Sequence, residues 1–328
     1  MSRISTTRNV IDQARSRLAR AHLAYGHGIP SAWDEAVYLV LHALKLPPGR
    51  LNAALERIVP PQALARVSRL VDERIKRRVP AAYLTHEAWL GDYRFYVDER
   101  VIVPRSYIAE LIGERFSPWL APRQRIARAL DLCTGSGCLA IVLAKTFTRA
   151  AVDAVDLDSG ALAVARRNVA AYRLQRRVRL LRSDMFEAVR NARYDLIIAN
   201  PPYVSAAAMR ALPPEYRHEP EISLASGKDG LDAVRVILRE AAAHLTDRGV
   251  LVVEVGHHRR RVERAFPRYA FTWPQTSGGD DCVFMLDRAE LQRAAALPGR
   301  TAQPAEPAAP AAPVRRRASR AGGASRRR

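Results

Sequence analysis

Residues 129–144 read ALDLCTGSGCLAIVLA, and this stretch decides the fold class. A short apolar run ends at Asp131, a turn with Gly135 and Gly137 follows, and an apolar run with helical spacing comes next. Glycine lets a backbone approach a ligand closely, and the N-terminus of a helix favours a negative group. The stretch therefore predicts a strand, a ligand-binding turn and a helix in an α/β fold. Alone the signal is weak, because dinucleotide-binding enzymes use similar loops.

Three further strand-like runs follow the glycine turn, and each leads to a polar residue: Asp156, Asp184 and Asn200 in chain order. Parallel strands end at the same edge of a sheet, where open α/β folds bind their ligands. Asp156 is placed to accept the two hydroxyls of a ribose, and Asp184 to meet an adenine amino group. Taken singly, each aspartate is equally well explained as a helix cap or a turn residue.

Residues 197–204, IIANPPYV, end the fourth of these strands with an amide, two prolines and an aromatic ring. Proline fixes φ and has no N–H, so Pro201 and Pro202 leave nearby carbonyl oxygens without a competing donor. A turn that merely terminates the strand is the alternative, since proline-rich turns are common.

The order of glycine loop, Asp156, Asp184 and Asn-Pro-Pro-Tyr resembles the class I methyltransferases that use S-adenosylmethionine and methylate planar nitrogens. Such a nitrogen has a delocalised lone pair, so the site must align it with the methyl–sulfur bond and bind both of its hydrogens. The resemblance implies that the Asn200 side-chain carbonyl and the Pro201 backbone carbonyl accept these hydrogens. Tyr203 then stacks on the planar group, and no strong base is needed if the proton leaves after attack.

Two flanking stretches resemble the HemK-like protein-glutamine methyltransferases, which modify release factors and a ribosomal protein. They are PAAYLTHEAWLGDYRFYVDERVIVPRSYIAELI (80–112) and EYRHEPEISLASGKDGLDAVRVIL (215–238). The resemblance covers about residues 10–293. It implies an α/β fold with a Rossmann-like seven-stranded sheet that ends in a reversed hairpin, and a small N-terminal helical domain that grips the protein substrate.

Within that family, the chain is most similar to the branch that acts on large-subunit ribosomal protein three (uL3). The similar stretches are AYGHGIPSAWDEAVYLVLHAL (24–44), DERVIVPRS (98–106), DLCTGSGC (131–138) and TSGGDDCVFML (276–286). The release-factor branch usually has Gly at Cys133, and Asp-Thr-Glu where this chain has Ser106-Tyr107-Ile108. The resemblance implies methylation of a glutamine side-chain amide nitrogen in uL3, with a release factor as the alternative substrate.

The resemblance also assigns the site residues. The expected cofactor-binding residues are Cys133, Thr134, Gly135, Ser136, Gly137, Asp156, Asp184, Met185 and Asn200. The expected substrate-binding residues are Asn200, Pro201, Pro202, Tyr203 and Arg105, and the catalytic ones are Asn200, Pro201 and Tyr203. Met185 replaces a more usual aromatic residue, and its thioether can still pack against the adenine. A surface position explains Arg105 equally well, and Glu219 and Glu254 are interpreted as structural.

Changes in composition divide the chain into four predicted segments. Residues 1–80 form a helical substrate-recognition domain, 81–103 a hairpin linker, and 104–293 the methyltransferase domain, where strand-like and helical runs alternate. Residues 294–328 are rich in Ala, Pro and Arg and cannot bury a core, so we expect a disordered tail.

The chain is strongly basic: 53 Lys and Arg against 33 Asp and Glu give a net charge of +20. Only four of the basic residues are lysine, a skew typical of coding bias in a GC-rich genome. A field of this size also favours anionic partners, so weak RNA contact through the basic surface and tail is predicted. No apolar run approaches the ~20 residues that span a bilayer, and no secretory signal is visible, so we expect a cytoplasmic protein without membrane contact.

No metal site is expected from the sequence. Cys133 and Cys138 flank one glycine turn without a matching second pair. His257-His258 precedes three arginines, residues 259–261, whose charges would repel a metal ion.

Two functions of other classes stay open at this point. A nucleic-acid exocyclic amine methyltransferase would share Asn-Pro-Pro-Tyr and the basic charge, but no zinc knuckle, strand-rich RNA module or target-recognition insertion is visible. A non-catalytic assembly factor would keep the fold, yet the intact loop, carboxylates and Asn200 argue against it.

Overall fold

The computed structural model describes residues 5–120 and 124–296. The N-terminal helices are α1 (Thr7–Arg20), α2 (Ala32–Ala43), α3 (Leu51–Ala54), α4 (Pro61–Arg77) and α5 (Ala81–Thr85). The sequence starts two of them with side-chain caps, since Thr6 accepts from the Asn9 N–H and Ser31 from the Asp34 N–H. One apolar cluster lies between α1, α2 and α4, so these helices share a core of their own.

A short antiparallel hairpin follows, made of β1 (Ala88–Leu90) and β2 (Tyr93–Phe95). Its turn uses Gly91 at φ +56°, as the Gly-Asp pair predicted. The chain then runs without regular structure past Arg105 into α6 (Ile108–Gly113).

The C-terminal part is a mainly parallel sheet with helices on both faces. Its strands are β3 (Arg128–Leu132), β4 (Ala151–Asp156), β5 (Val178–Arg182), β6 (Tyr194–Ala199), β7 (Leu245–Glu254) and β8 (Val283–Asp287). They lie in the order β5-β4-β3-β6-β7-β8, with β8 antiparallel to β7 and all other pairs parallel. The remaining helices are α7 (Cys138–Thr146), α8 (Ser159–Ala171), α9 (Ala206–Ala211), α10 (Asp232–His244), α11 (Arg259–Ala265) and α12 (Arg288–Ala296).

Alternate residues of each central strand enter different cores. On β6, Leu196 and Ile198 face the cluster that includes α6 and α7, whereas Ile197 faces the cluster that includes α10 and α12. A strand buried on both faces is typical of parallel α/β sheets, and it explains the continuous apolar run before Asn200. The predicted α/β class is confirmed.

Two details differ from the sequence-based expectation. Among the described residues, the large sheet has six strands rather than seven, and at the expected seventh position Thr272 makes a single antiparallel bridge to Met285 of β8. Pro274, two residues after Thr272, has no N–H to extend the pairing on that side. The first three residues of the predicted tail, 294–296, belong to α12, and 297–328 lie outside the described residues.

Within residues 5–120 and 124–296, no helix has the length and apolar character needed to cross a membrane.

Candidate active site

The glycine loop lies between β3 and α7 and faces a cavity at the carboxyl edge of the sheet. Gly135 has φ +54°, and a Cβ built on it would stand in open space with no atom within 4 Å. The loop therefore offers bare backbone to a ligand at this point. Gly137 faces the other way and packs against Ala165 of α8.

Asp131, at the end of β3, holds the loop from beneath. Its Oδ2 accepts hydrogen bonds from the Thr134 hydroxyl at 2.5 Å and from the Ala140 N–H at 3.0 Å. Burial raises the pKa of Asp131 to about 7, against the lowering effect of these two bonds. The sequence analysis identified Asp131 only as the end of a strand. In the structure its Oδ1 is buried and has no hydrogen-bond partner among the described residues.

Asp156 joins the ends of β3 and β4. Its Oδ2 accepts from the Gly135 N–H at 2.8 Å, and its Oδ1 accepts from the Asp158 N–H at 3.0 Å. Burial raises the pKa of this carboxyl, while both backbone hydrogen bonds favour the charged form. Each oxygen has a second lone pair, so both can still accept a hydroxyl of a bound ribose.

The cavity gathers most of the expected cofactor-binding residues. Those that line it are Cys133, Gly135, Asp156, Asp184, Met185 and Asn200, together with Pro202. Thr134 and Ser136 are buried and do not line it; the Thr134 hydroxyl serves Asp131 and the Ser136 carbonyl accepts from Asn168. Within the glycine loop, Thr134 and Ser136 therefore stabilise the backbone, whereas Cys133 and Gly135 face the cavity.

Six further lining residues were missed from the sequence: Ile102, Val155, Leu157, Ser183, Ile222 and Ser223. Leu157 and Ile222 are 46% and 51% exposed, which is high for large apolar side chains. An apolar surface beside a polar carboxylate row suits a ring that stacks there. The one signal in the sequence for this apolar surface was the position of Leu157 directly after Asp156.

A second, smaller cavity adjoins the first. Arg105, Pro201 and Tyr203 line it, and Ile102, Asn200 and Ser223 line both cavities. Asn200 therefore lies at the junction of two cavities. One is the loop-side cavity, lined by the glycine loop, and the other is the smaller cavity, lined by Pro201 and Tyr203. This arrangement allows two ligands to meet at Asn200.

The Tyr203 ring packs closely on a glycine that follows the neighbouring strand. Gly256 has φ +56°, and a Cβ there would come within 3.0 Å of the Tyr203 ring. The His258 ring meets the same tyrosine edge-on at 6.1 Å between centroids. Burial raises the pKa of the Tyr203 phenol, which therefore stays neutral and keeps its hydroxyl proton.

Arg105 is fixed at the cavity wall by a buried carboxylate. Its two terminal nitrogens donate to the two oxygens of Glu219 at 2.5 and 2.6 Å, and Glu219 also accepts from the Val103 N–H. Burial opposes the charge of Arg105, but Glu219 outweighs it and raises the guanidinium pKa. His27, from the N-terminal helical region, approaches Glu219 at 3.8 Å, and burial lowers its pKa to about 4. Glu219 thus lies between the cavity wall and the helical part of the chain.

Glu254 anchors the segment after Arg105 to the sheet. It ends β7 and accepts from the Ser106 hydroxyl at 2.6 Å and the Tyr107 N–H at 2.9 Å. Burial raises its pKa to about 7.

Comparisons with known proteins show the family to which the chain belongs. A family model described as PrmC N-terminal domain matches residues 9–85, and one described as Methyltransferase small domain matches residues 119–212. The ribosomal protein uL3 glutamine methyltransferases of Bordetella pertussis and Neisseria gonorrhoeae are 53% and 50% identical to the chain over 288 residues. These alignments cover 88% of the chain and 97% and 96% of the two relatives. The chain belongs to this family of glutamine methyltransferases.

Among solved structures, a ribosomal protein L11 methylase from Lactobacillus delbrueckii subsp. bulgaricus is similar over 55% of this chain and 77% of its own, with 19% identity and a TM-score of 0.38. The catalytic domain of hMettl16 in complex with an RNA hairpin is similar over 70% of this chain and 83% of its own, with 13% identity and a TM-score of 0.43.

The cofactor of this glutamine methyltransferase is S-adenosylmethionine, and the loop-side cavity fits it. The bare Gly135 backbone faces open space, Asp156 retains lone pairs for two hydroxyls, and Leu157 presents apolar surface. When bound, the cofactor supplies a methyl group on a positively charged sulfur.

Proposed function

We propose that this methyltransferase modifies the side-chain amide nitrogen of a glutamine in ribosomal protein uL3. The relatives that carry this name align with the chain over nearly their whole length. The observation that carries the proposal for the site is the position of Asn200 in the wall of both cavities. A methyl donor on the loop side and an amide on the tyrosine side would meet there.

The residues of the smaller cavity would orient the amide. The Asn200 side-chain oxygen and the Pro201 carbonyl accept its two hydrogens, and Tyr203 packs on its plane. Pro201 and Pro202 offer no N–H that would compete for these carbonyls. Arg105, held by Glu219, would bind the amide oxygen. Alignment of this kind is worth several kcal/mol, and about 7–11 kcal/mol in the best-oriented intramolecular reactions.

Asn200 and Pro201 would hold the amide nitrogen in line with the methyl group that the cofactor would supply, and methyl transfer would leave a positive charge on that nitrogen. The nitrogen then loses one of its two protons to water. The carbonyl oxygens of Asn200 and Pro201 stabilise the positive charge that builds up on the nitrogen before the proton leaves.

We further propose that residues 1–80 grip the protein substrate, with 81–103 as linker and 104–293 as the catalytic domain. Support comes from the segment after the motif, where Glu215 accepts from the Ala24 N–H at 3.0 Å and pairs with Arg78 at 2.8 Å. Substrate bound by the helices would thus lie near the catalytic loop. Action on a ribosomal protein implies the cytoplasm, and RNA contact stays a prediction from the charge.

The test compares transfer of labelled methyl to three unmethylated substrates: uL3, a release factor and ribosomal RNA. We expect label on uL3, mapped to a glutamine amide. Label on the release factor alone would support glutamine methylation and contradict the proposal that uL3 is the substrate. Label on RNA alone, lost at moderate salt, would favour a nucleic-acid amine methyltransferase.

A further inference from the structure

Three side chains with metal-binding atoms meet where β7 ends and β8 begins. The His257 Nδ1 lies 3.0 Å from the Asp281 Oδ1, and the Cys282 Sγ lies 3.4 Å from each of these atoms. The backbone fixes the arrangement, because the Val255 N–H donates to the Cys282 carbonyl at 2.8 Å. In the part of the chain that the structure describes, this is the one such group of three.

The spacing of these atoms suits one face of a tetrahedral zinc site. Zinc bonds of about 2.0–2.1 Å to nitrogen or oxygen and about 2.3 Å to sulfur place neighbouring ligand atoms roughly 3.3–3.7 Å apart. The observed separations are 3.0–3.4 Å, so a small outward movement makes room for the ion. A thiolate with an imidazole is also the donor set that zinc-class ions prefer.

The site is open on one side only. The Cys282 side chain is buried, whereas the side chains of His257 and Asp281 are 65% and 39% exposed. An ion would therefore enter from solvent, rest against the thiol and keep water as a fourth ligand.

Two of the nearby arginines are engaged by other partners. Arg259 pairs with Glu263 at 3.0 Å and with Asp280 at 2.9 Å, and Arg261 donates to the Asp229 carbonyl at 2.8 Å. Charge repulsion was the reason to expect no metal here, and the structure directs these two guanidinium groups to other partners.

We propose that His257 Nδ1, Asp281 Oδ1 and Cys282 Sγ bind one divalent ion of the zinc class. Binding replaces the thiol proton, which is released to water, by a sulfur–metal bond. The site ties the end of β7 to the start of β8. Gly256 and His258, on either side of the histidine ligand, contact Tyr203, so the ion would stiffen the wall of the smaller cavity. Its role is structural, because none of the three ligands lines either cavity.

The test is a titration of the purified, metal-free full chain with Zn²⁺ in competition with a chromophoric chelator, followed by Co²⁺ absorption. We expect one ion per chain and a sulfur-to-cobalt charge-transfer band in the near ultraviolet. Cys282→Ser should remove the band, and Cys282→Ser and His257→Asn should each weaken binding on the order of 10-fold or more. The matched controls Cys138→Ser and His22→Asn should leave the charge-transfer band and the zinc affinity unchanged.

Two results would overturn the site. One is zinc affinity in Cys282→Ser equal to that of the unaltered chain, which would leave Cys282 as a thiol that donates to the Gly278 carbonyl. The other is saturation of the unaltered chain with Co²⁺ and no thiolate band, a result that does not depend on how any variant folds.

Discussion

At the scale of single residues, the polar residues at the strand ends were predictable, and the isoleucines of the irregular segments were not. Asp156 ends a strand, Asp184 and Asn200 each follow one, and the carboxyl ends of parallel strands share one edge. Ile102 and Ile222 line the same cavity from irregular segments, and an isoleucine carries no chemical signature in a sequence. Only the packing of the chain makes such residues part of a site.

Asp156 is expected to control cofactor affinity. Asp156→Ala removes the acceptor for the Gly135 N–H and for both predicted ribose hydroxyls, and bonds to a charged acceptor contribute about 1.5–3 kcal/mol each. We expect S-adenosylmethionine to bind on the order of 100-fold more weakly in calorimetry. Asp247→Ala is the control, since that side chain is 93% exposed. Unchanged affinity in Asp156→Ala would refute the ribose assignment.

At the scale of elements, the strand–loop–helix unit was predicted in the right place, but its internal support was not. The pattern identified β3, the glycines and α7. It did not reveal that Thr134 and Ala140 both donate to Asp131, because hydrogen bonds within a loop depend on backbone angles such as φ +56° at Cys133. Likewise, the sequence did not reveal that the predicted seventh strand is reduced to a single bridge at Thr272.

Asp131 should make stability depend on pH. Its pKa is about 7 in the folded protein, against 3.8 for an unperturbed aspartate, so between these values the folded state holds a proton that the unfolded state has lost. The free energy of unfolding therefore falls as pH rises through this window and levels off above it. Asp131→Asn removes this contribution. Between about pH 5 and about pH 8, the unaltered protein should lose about 2–3 kcal/mol relative to the variant in urea unfolding. Parallel pH profiles would contradict the assignment.

At the scale of the whole molecule, the sequence predicted which segments are helical and which form the sheet, but not how they meet. Buried charges join them: Arg74 donates to Glu35 at 2.7 Å and lies 3.7 Å from Glu215, which Arg78 also contacts. These partners are far apart in the chain, and periodicity gives no information on such pairs. The same holds for His257 and Asp281, which strand pairing brings together.

Glu215→Gln is expected to weaken this junction. Removing one partner of a buried ion pair leaves an uncompensated charge, so we expect a loss of about 3 kcal/mol in the free energy of unfolding. Methyl transfer to the protein substrate should fall more than cofactor affinity, because the segment after the motif loses its anchor. Glu56→Gln is the matched control: Glu56 is 76% exposed and pairs with Arg8, so a change below about 1 kcal/mol is expected. Equal effects of both variants would contradict a special role for Glu215.

The decisive experiment for the proposed chemistry is the single-turnover rate of methyl transfer to the glutamine amide of uL3 by Asn200→Ala. Asn200 lines both cavities, and loss of one hydrogen-bond partner of a transition state typically costs about 100- to 1,000-fold in rate. We predict a fall of that size, with S-adenosylmethionine affinity changed only a few-fold and with Asn191→Ala, an exposed asparagine, unaffected. An unchanged rate in Asn200→Ala would contradict the proposal that the amide is held and methylated at this junction.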